Sequence, residues 1–344
     1  MTKTKQISVA LQGGGAHGAF TWGVLERLLD EPRLEIAAIS GTSAGALNGA
    51  ALKAGLARGG REEARATLAW FWGQVGAIDD ARLAPWLSAM SPSALSGLVE
   101  ASLPYVAADS IARIVSPYVA GPFYTNPLNA IVSRLHYDAI CGDGGPSLSV
   151  SATNVRSGKI RVFSGPEISP ASLMASACLP TIFQAVEIDD PETGQREAYW
   201  DGGYTGNPAL FPLFVPDLPE DVLVININPL YRDAVPTTAR AIQNRINEIS
   251  FNSSLLRELR AIAFVQRLLA EGIIEQGRMK TVRVHMVADD ELMAQLSVAT
   301  KTVATPQVMH QLRVAGQRAA DDFLTTHFDD VGARSTVDLP AMFG

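Results

Sequence analysis

Apolar and polar positions along this chain follow two different rhythms. A short apolar run from Ile7 to Leu11 reads as a buried strand and ends at Gly13, Gly14 and Gly15. From about Gly18 to Asp30 the period changes, and Phe20, Val24 and Leu28 fall on one side of a helix. Ile36 to Ile39 is a second buried strand, which runs into Gly41-Thr42-Ser43-Ala44-Gly45 and then an Ala-rich, helix-forming stretch to Ala57. Strand, turn and helix, twice in succession, point to a parallel α/β sheet.

From about Gly60 to Asp138 the strand signal fades and helical patterning takes over. The part from Leu83 to Phe123 carries only Glu100, Asp109 and Arg113 as charges, beside Trp86, Tyr105, Tyr118 and five prolines. So apolar a segment is either a helical layer over one sheet edge or a lid or acyl-chain channel. Strand signals resume at Ser147 to Asn154, Lys159 to Phe163, Ala198 to Trp200, Val222 to Asn226 and Val282 to Met286. Between Ala239 and Leu269 the residues Ile242, Ile246, Ile249, Leu255, Leu259, Ile262 and Leu269 keep helical spacing, with a break expected at Asn252-Ser253-Ser254. A last helix is expected near Pro306 to Thr326, and a mobile loop at Arg232 to Thr238.

Length and composition turn this pattern into one domain, 1–344, with a helical, lid-like insertion at 60–138. A chain of 344 residues that is 47% apolar can bury a large core. Its 28 basic and 35 acidic residues give a net charge of -7, and no window is dense in Lys or Arg, which argues against nucleic acid as a partner. The basic start, MTKTKQISVALQGGG, lacks a cleavage signature and passes directly into the glycine cluster, so it reads as a strand and not as a signal peptide. No apolar stretch approaches the roughly 20 residues needed to span a bilayer. Cys141 and Cys178 are too few and too isolated for a disulfide framework or a zinc site. A cytoplasmic protein without cofactor or metal is the expectation, with oligomeric state left open.

Gly41-Thr42-Ser43-Ala44-Gly45 fits GxSxG, a strained strand-to-helix turn that presents a hydroxyl, with Gly41 and Gly45 giving room at the elbow. Gly13, Gly14 and Gly15 end the neighbouring strand. In a parallel sheet that loop faces Ser43, where backbone N–H groups can meet a developing oxyanion. Gly13, Gly15 and Gly18 also fit GxGxxG, the dinucleotide-binding pattern. A dinucleotide site, however, wants an acidic residue closing the second strand. Here that strand closes on Ser40-Gly41 while Glu35 opens it.

None of the five histidines has the context of a base for Ser43. Asp201, between the apolar strand Ala198-Tyr199-Trp200 and Gly202-Gly203, is the better candidate, provided burial raises its pKa toward neutrality. Asp143-Gly144-Gly145 is its rival, although a solvated turn explains that stretch more simply.

Together, Gly13-Gly14-Gly15-Ala16-His17-Gly18, Gly41-Thr42-Ser43-Ala44-Gly45 and Asp201-Gly202-Gly203 resemble the three motifs of the patatin-like phospholipase family, in the same order. Ala175-Ser176-Ala177-Cys178-Leu179-Pro180 resembles the Ala-Ser-x-x-x-Pro segment that precedes the third. The resemblance spans about Ile7 to Asn207, and Asn247 to Ile262 is similar to a segment of bacterial members. It implies a three-layer α/β/α sandwich, a Ser43–Asp201 dyad without histidine, an oxyanion held by Gly13 to Gly15, and no metal. Many members carry Arg or Lys where this chain has His17.

The function expected on these grounds is hydrolysis of a lipid or other apolar ester through an acyl-enzyme, with peripheral membrane contact through apolar parts of the insertion. Three alternatives stay open: a polyhydroxyalkanoate depolymerase, an acyltransferase using a carrier or CoA thioester, and a non-catalytic binding protein that keeps the pocket.

Overall fold

A computed structural model describes residues 4–76, 90–106, 115–275 and 277–343. Its centre is an eight-stranded sheet: β1 Lys5–Leu11, β2 Leu34–Thr42, β3 Ser147–Asn154, β4 Ile160–Ser164, β5 Val186–Asp190, β6 Gln195–Asp201, β7 Asp221–Ile225 and β8 Arg283–Val287. The order is β5-β6-β3-β2-β1-β7-β8, with β4 also paired to β3. β8, β7, β1, β2 and β3 are parallel neighbours, whereas β4 and β6 run antiparallel to β3 and β5 antiparallel to β6.

Register around β3 positions the site. β2 pairs with Ser147 to Ser151, β4 with Ser149 to Thr153 and β6 with Ala152 to Asn154. One edge of a strand holds one partner at each position, so β4 takes one edge, and β2 and β6 share the other. β2 and β6 run in opposite directions and meet there by their C-terminal ends.

Period-two alternation separates the two faces of the sheet. Val9, Leu11, Ile39, Leu223 and Ile225 face a core built with helices α1 Gly18–Leu29, α2 Ala44–Val75 and, in the C-terminal part, Pro306–His327. Ala10, Ala38, Val222, Val224 and Val284 face the opposite way, onto Leu255, Leu259 and Ile262 of the long helix Ala239–Ala270. The fold is a three-layer α/β/α sandwich with a mostly parallel sheet.

Helix α2 passes the expected insertion boundary. Gly60, with φ 74°, kinks it without ending it, and Leu68, Phe71 and Trp72 beyond the kink are buried. The short helices α3 Pro92–Ala101, α4 Pro127–Val132 and α5 Tyr137–Cys141 follow. Trp86, Asp109 and Arg113 lie outside the described residues. Helix α6, Pro170–Ser176, starts on Ser169, whose side chain accepts from the Ser172 N–H.

One expectation is corrected, and one strand is new. Helix α7, Ala239–Ala270, runs through Asn252-Ser253-Ser254 without a break. Asn252 and Ser254 are buried and tied to loops beyond the sheet, so they anchor the helix instead of ending it. Strand β5 was not expected, because its sequence, Val-Glu-Ile-Asp-Asp, is short and acidic. Beyond β8 lie α8 Asp290–Ala294, α9 Val298–Thr302, α10 Pro306–His327 and α11 Leu339–Phe343.

Candidate active site

At the end of β2 the backbone reverses sharply. Ser43 has φ 54° and ψ -123°, and it is the one non-glycine residue with positive φ among the described residues. Close approach explains the glycine behind it: a Cβ on Gly45 would stand 2.1 Å from the Leu11 carbonyl oxygen. A Cβ on Gly41 would stand 2.7 Å from Gly45 O. Ser43 caps the N-terminus of α2, where the helix presents the positive end of its dipole. The Ser43 N–H donates to Ser176 Oγ at 2.9 Å, and that hydroxyl donates to Ser151 O at 2.6 Å.

Asp201 closes β6 beside the elbow. Its N–H donates to Cys178 O at 2.8 Å, so the last residue of α6, Ser176, holds Ser43 and the segment just after it holds Asp201. The carboxyl is fully buried, and its Oδ1 accepts the Gly203 N–H at 2.7 Å. Oδ2 has no well-formed hydrogen bond. Burial pushes the pKa of Asp201 from 3.8 up to about 7, and the Gly203 N–H and the neighbouring Ser43 hydroxyl hold it from rising further.

The glycine loop lies against both. A Cβ on Gly13 would stand 2.7 Å from Ser43 Cβ, so only glycine lets the loop come this close. The Gly13 N–H donates to Asn207 Oδ1 at 2.6 Å, and Asn207 Nδ2 reaches Gly13 O at 3.4 Å. Asn207 follows Asp201 in the same loop, which links the carboxylate and the glycine loop. Beneath them Gln12, buried at the end of β1, accepts from the N–H groups of Ile227 and Asn228 and donates to Asn252 Oδ1.

The rival groups stand elsewhere. Asp143 is exposed in its turn. His17 is 1% exposed, with Nε2 2.8 Å from Thr300 Oγ1, and burial together with the Lys301 charge holds its pKa well below the usual value. His285 pairs with Asp221 and Thr336, and His327 with Asp330. The glycine pattern opens α1 beside Ser43, and Glu35 is exposed near the start of β2, away from the site. Among the described residues no group of three or more His, Cys, Asp or Glu side chains is placed to hold a metal ion.

Gln12, Asn207, Asn228, Asn252 and Lys301 were missed in the sequence. Two of them left a trace. Gln12 is a polar residue closing an otherwise apolar strand, and Asn252 interrupts the apolar face of a helix. A polar side chain at a core position implies a buried partner.

Among the described residues no helix is long and apolar enough to cross a membrane. No curated protein matches the sequence. Among solved structures, VipD from Legionella pneumophila is similar at 15% identity and a TM-score of 0.41, with 94% of this chain and 67% of that chain covered. The ExoU–SpcU complex from the type III secretion system of Pseudomonas aeruginosa is similar at 15% identity and a TM-score of 0.29, covering 99% and 74%. Likenesses this distant carry no functional weight. Residues 9–214, by contrast, match the family model described as patatin-like phospholipase, and that span takes in the glycine loop, the elbow and the Asp201 loop. The chain belongs to the patatin-like phospholipase family.

Proposed function

We propose that this protein hydrolyses carboxylic esters of lipids through a Ser43–Asp201 dyad. The observation that carries the reading is a buried carboxyl, raised to about 7, beside a serine held at a strained strand-to-helix turn. Asp201 takes the Ser43 proton as Oγ attacks the ester carbonyl. The tetrahedral oxyanion is held by the glycine loop Gly13 to Gly15. Because the Gly13 N–H is occupied by Asn207, the amides of Gly14 and Gly15 make the donation. The proton passes from Asp201 to the leaving alcohol and an acyl-enzyme remains; water, giving its proton to Asp201, then attacks the acyl carbonyl, and Asp201 returns that proton to Ser43 Oγ as the acid leaves.

The chain acts as a single domain in which helical segments of 60–138 form a lid-like cover. Leu98, Leu103 and Val119 are exposed there, and they support peripheral contact with a lipid surface. The test is turnover of p-nitrophenyl esters of increasing acyl length, of phospholipid vesicles and of polyhydroxyalkanoate granules by wild type and Ser43→Ala. Vesicle turnover lost in the variant supports the reading. Turnover of granules alone assigns a storage polyester, and transfer seen only with a thiol acceptor assigns an acyltransferase. Equal rates for both proteins sink it.

A further inference from the structure

Helix α9, beyond the residues that match the family, grips the glycine loop at three points. Thr300 Oγ1 meets His17 Nε2 at 2.8 Å. The Lys301 carbonyl oxygen lies 2.2 Å from where a Cβ on Gly15 would stand. Lys301 Nζ donates to Asn228 Oδ1 at 2.6 Å, and Asn228 Nδ2 donates in turn to Gly13 O at 2.9 Å and Gln12 Oε1 at 3.0 Å.

The donor inventory makes this chain directional. An ammonium only donates, and a carbonyl oxygen only accepts. A reversed Asn228 amide would turn its oxygen toward two acceptors and its NH₂ toward the ammonium, so Lys301 helps to lock the orientation that holds Gly13. Asn228 Oδ1 also stands 3.8 Å from where a Cβ on Gly14 would be, so the amide oxygen that accepts from the ammonium lies against that glycine.

We infer that Lys301 is a positioning residue for ester hydrolysis: through Asn228 it holds the Gly13 peptide so that the Gly14 and Gly15 amides aim at Ser43, with its charge behind them. The inference rests on the hydrolase reading of Ser43. Burial lowers the pKa of Lys301 from 10.5 to about 8, while the Glu248 carboxylate raises it and the Arg232 guanidinium lowers it. Glu248 is itself shared between Arg232 and Arg245. His17, on the side of the glycine loop, is neutral while Lys301 is charged. On the Asp201 side, burial pushes Tyr204 up to about 12 and Cys178 up to about 12, so neither titrates near pH 8.

The experiment compares p-nitrophenyl ester turnover and the rate of Ser43 labelling by a fluorophosphonate from pH 6 to 10, for wild type, Lys301→Met and Lys301→Arg. Lys301→Met is expected to lower kcat and the labelling rate about ten- to a hundredfold with KM within about threefold, less than the hundred- to thousandfold that loss of a whole oxyanion donor costs. Wild type is expected to lose rate as the pH rises through about 8. Lys301→Arg keeps most of the rate and lacks that alkaline loss, because a guanidinium stays charged. Full activity in Lys301→Met, or a wild-type alkaline limb in Lys301→Arg, overturns the inference. If Lys301→Met does not fold, the Lys301→Arg profile decides. A folded wild type that neither turns over nor labels sinks the reading of Ser43 instead, and this inference with it.

Discussion

Thr42 and Asp201 occupy consecutive rungs on one edge of β3, opposite Ser151 and Ala152 respectively. β2 and β6 arrive from opposite directions and stop there, so the residue after Thr42 and the last residue of β6 come together. Thr42 Oγ1 donates to Gly206 O at 2.6 Å and Thr153 Oγ1 to Asp201 O at 2.8 Å, which closes the seam between the strand ends.

Ser43→Ala and Asp201→Asn are each expected to lower ester turnover by about a thousandfold or more while the protein stays folded. Ser43→Gly is expected to abolish turnover too, yet raise stability by about 1 kcal/mol, since glycine adopts φ 54° without the strain that serine bears. Thermal unfolding of the three variants beside wild type checks this, and a less stable Ser43→Gly would contradict it.

Asp201 gives two pH dependences of opposite sense. In its proposed role as base it must be ionised, so kcat/KM should climb about tenfold per pH unit up to about 7 and then hold until the alkaline loss expected from Lys301 near 8. Between 3.8 and about 7 the folded protein holds a proton that the unfolded chain has lost, so this group makes stability fall as pH rises across that window. The melting-temperature advantage of Asp201→Asn over wild type should therefore be larger at pH 8 than at pH 5. A constant difference would show that the carboxyl is not raised.

Helices α1 and α10 cross on two glycines. A Cβ on Gly23 would stand 1.9 Å from Arg313 O, and one on Gly316 would stand 2.1 Å from Phe20 O. Alanine at either position is expected to cost about 1–3 kcal/mol or more by forcing the helices apart. Gly97 in α3 meets nothing within 4 Å, so Gly97→Ala should gain about 0.5–1 kcal/mol. Urea unfolding of the three variants separates the two cases.

Arg161 holds the buried Asp190 with hydrogen bonds from Nε at 3.0 Å and Nη2 at 3.0 Å, and reaches Glu167 at 2.8 Å. Arg161→Met leaves that carboxylate without its ion partner and is expected to cost about 3–5 kcal/mol. Burial pushes Asp190 up, but hydrogen bonds from Arg161 and Tyr199 outweigh it and bring the pKa down to about 2. Its contribution is present in full above 3.8 and is lost as the pH falls through about 2. Chemical unfolding at pH 7 measures the loss, and a second substitution, Asp190→Asn, should recover part of it.

What the sequence determined by itself is what local patterning controls. Period-two and period-3.6 apolar spacing marked β1, α1, β2 and β3, because each buries a face that its own residues define. The glycine cluster, the Gly41 to Gly45 turn and the Asp201 loop were legible because close backbone approach leaves glycine few substitutes. β5 was not legible: its pairing with β6 is decided by a partner strand and by Arg161, not by its own acidic sequence. The polar break read at Asn252 failed for a related reason, since a buried amide satisfied by Gln12, Asn228 and Pro229 is compatible with an unbroken helix. Only tertiary structure decided that two strands end on the same edge of β3 beside Ser43, that Asn207 occupies the Gly13 amide, and that Lys301 stands behind the glycine loop. Those contacts join residues distant in the chain, and burial and hydrogen-bond partners arise only when the chain has closed around them.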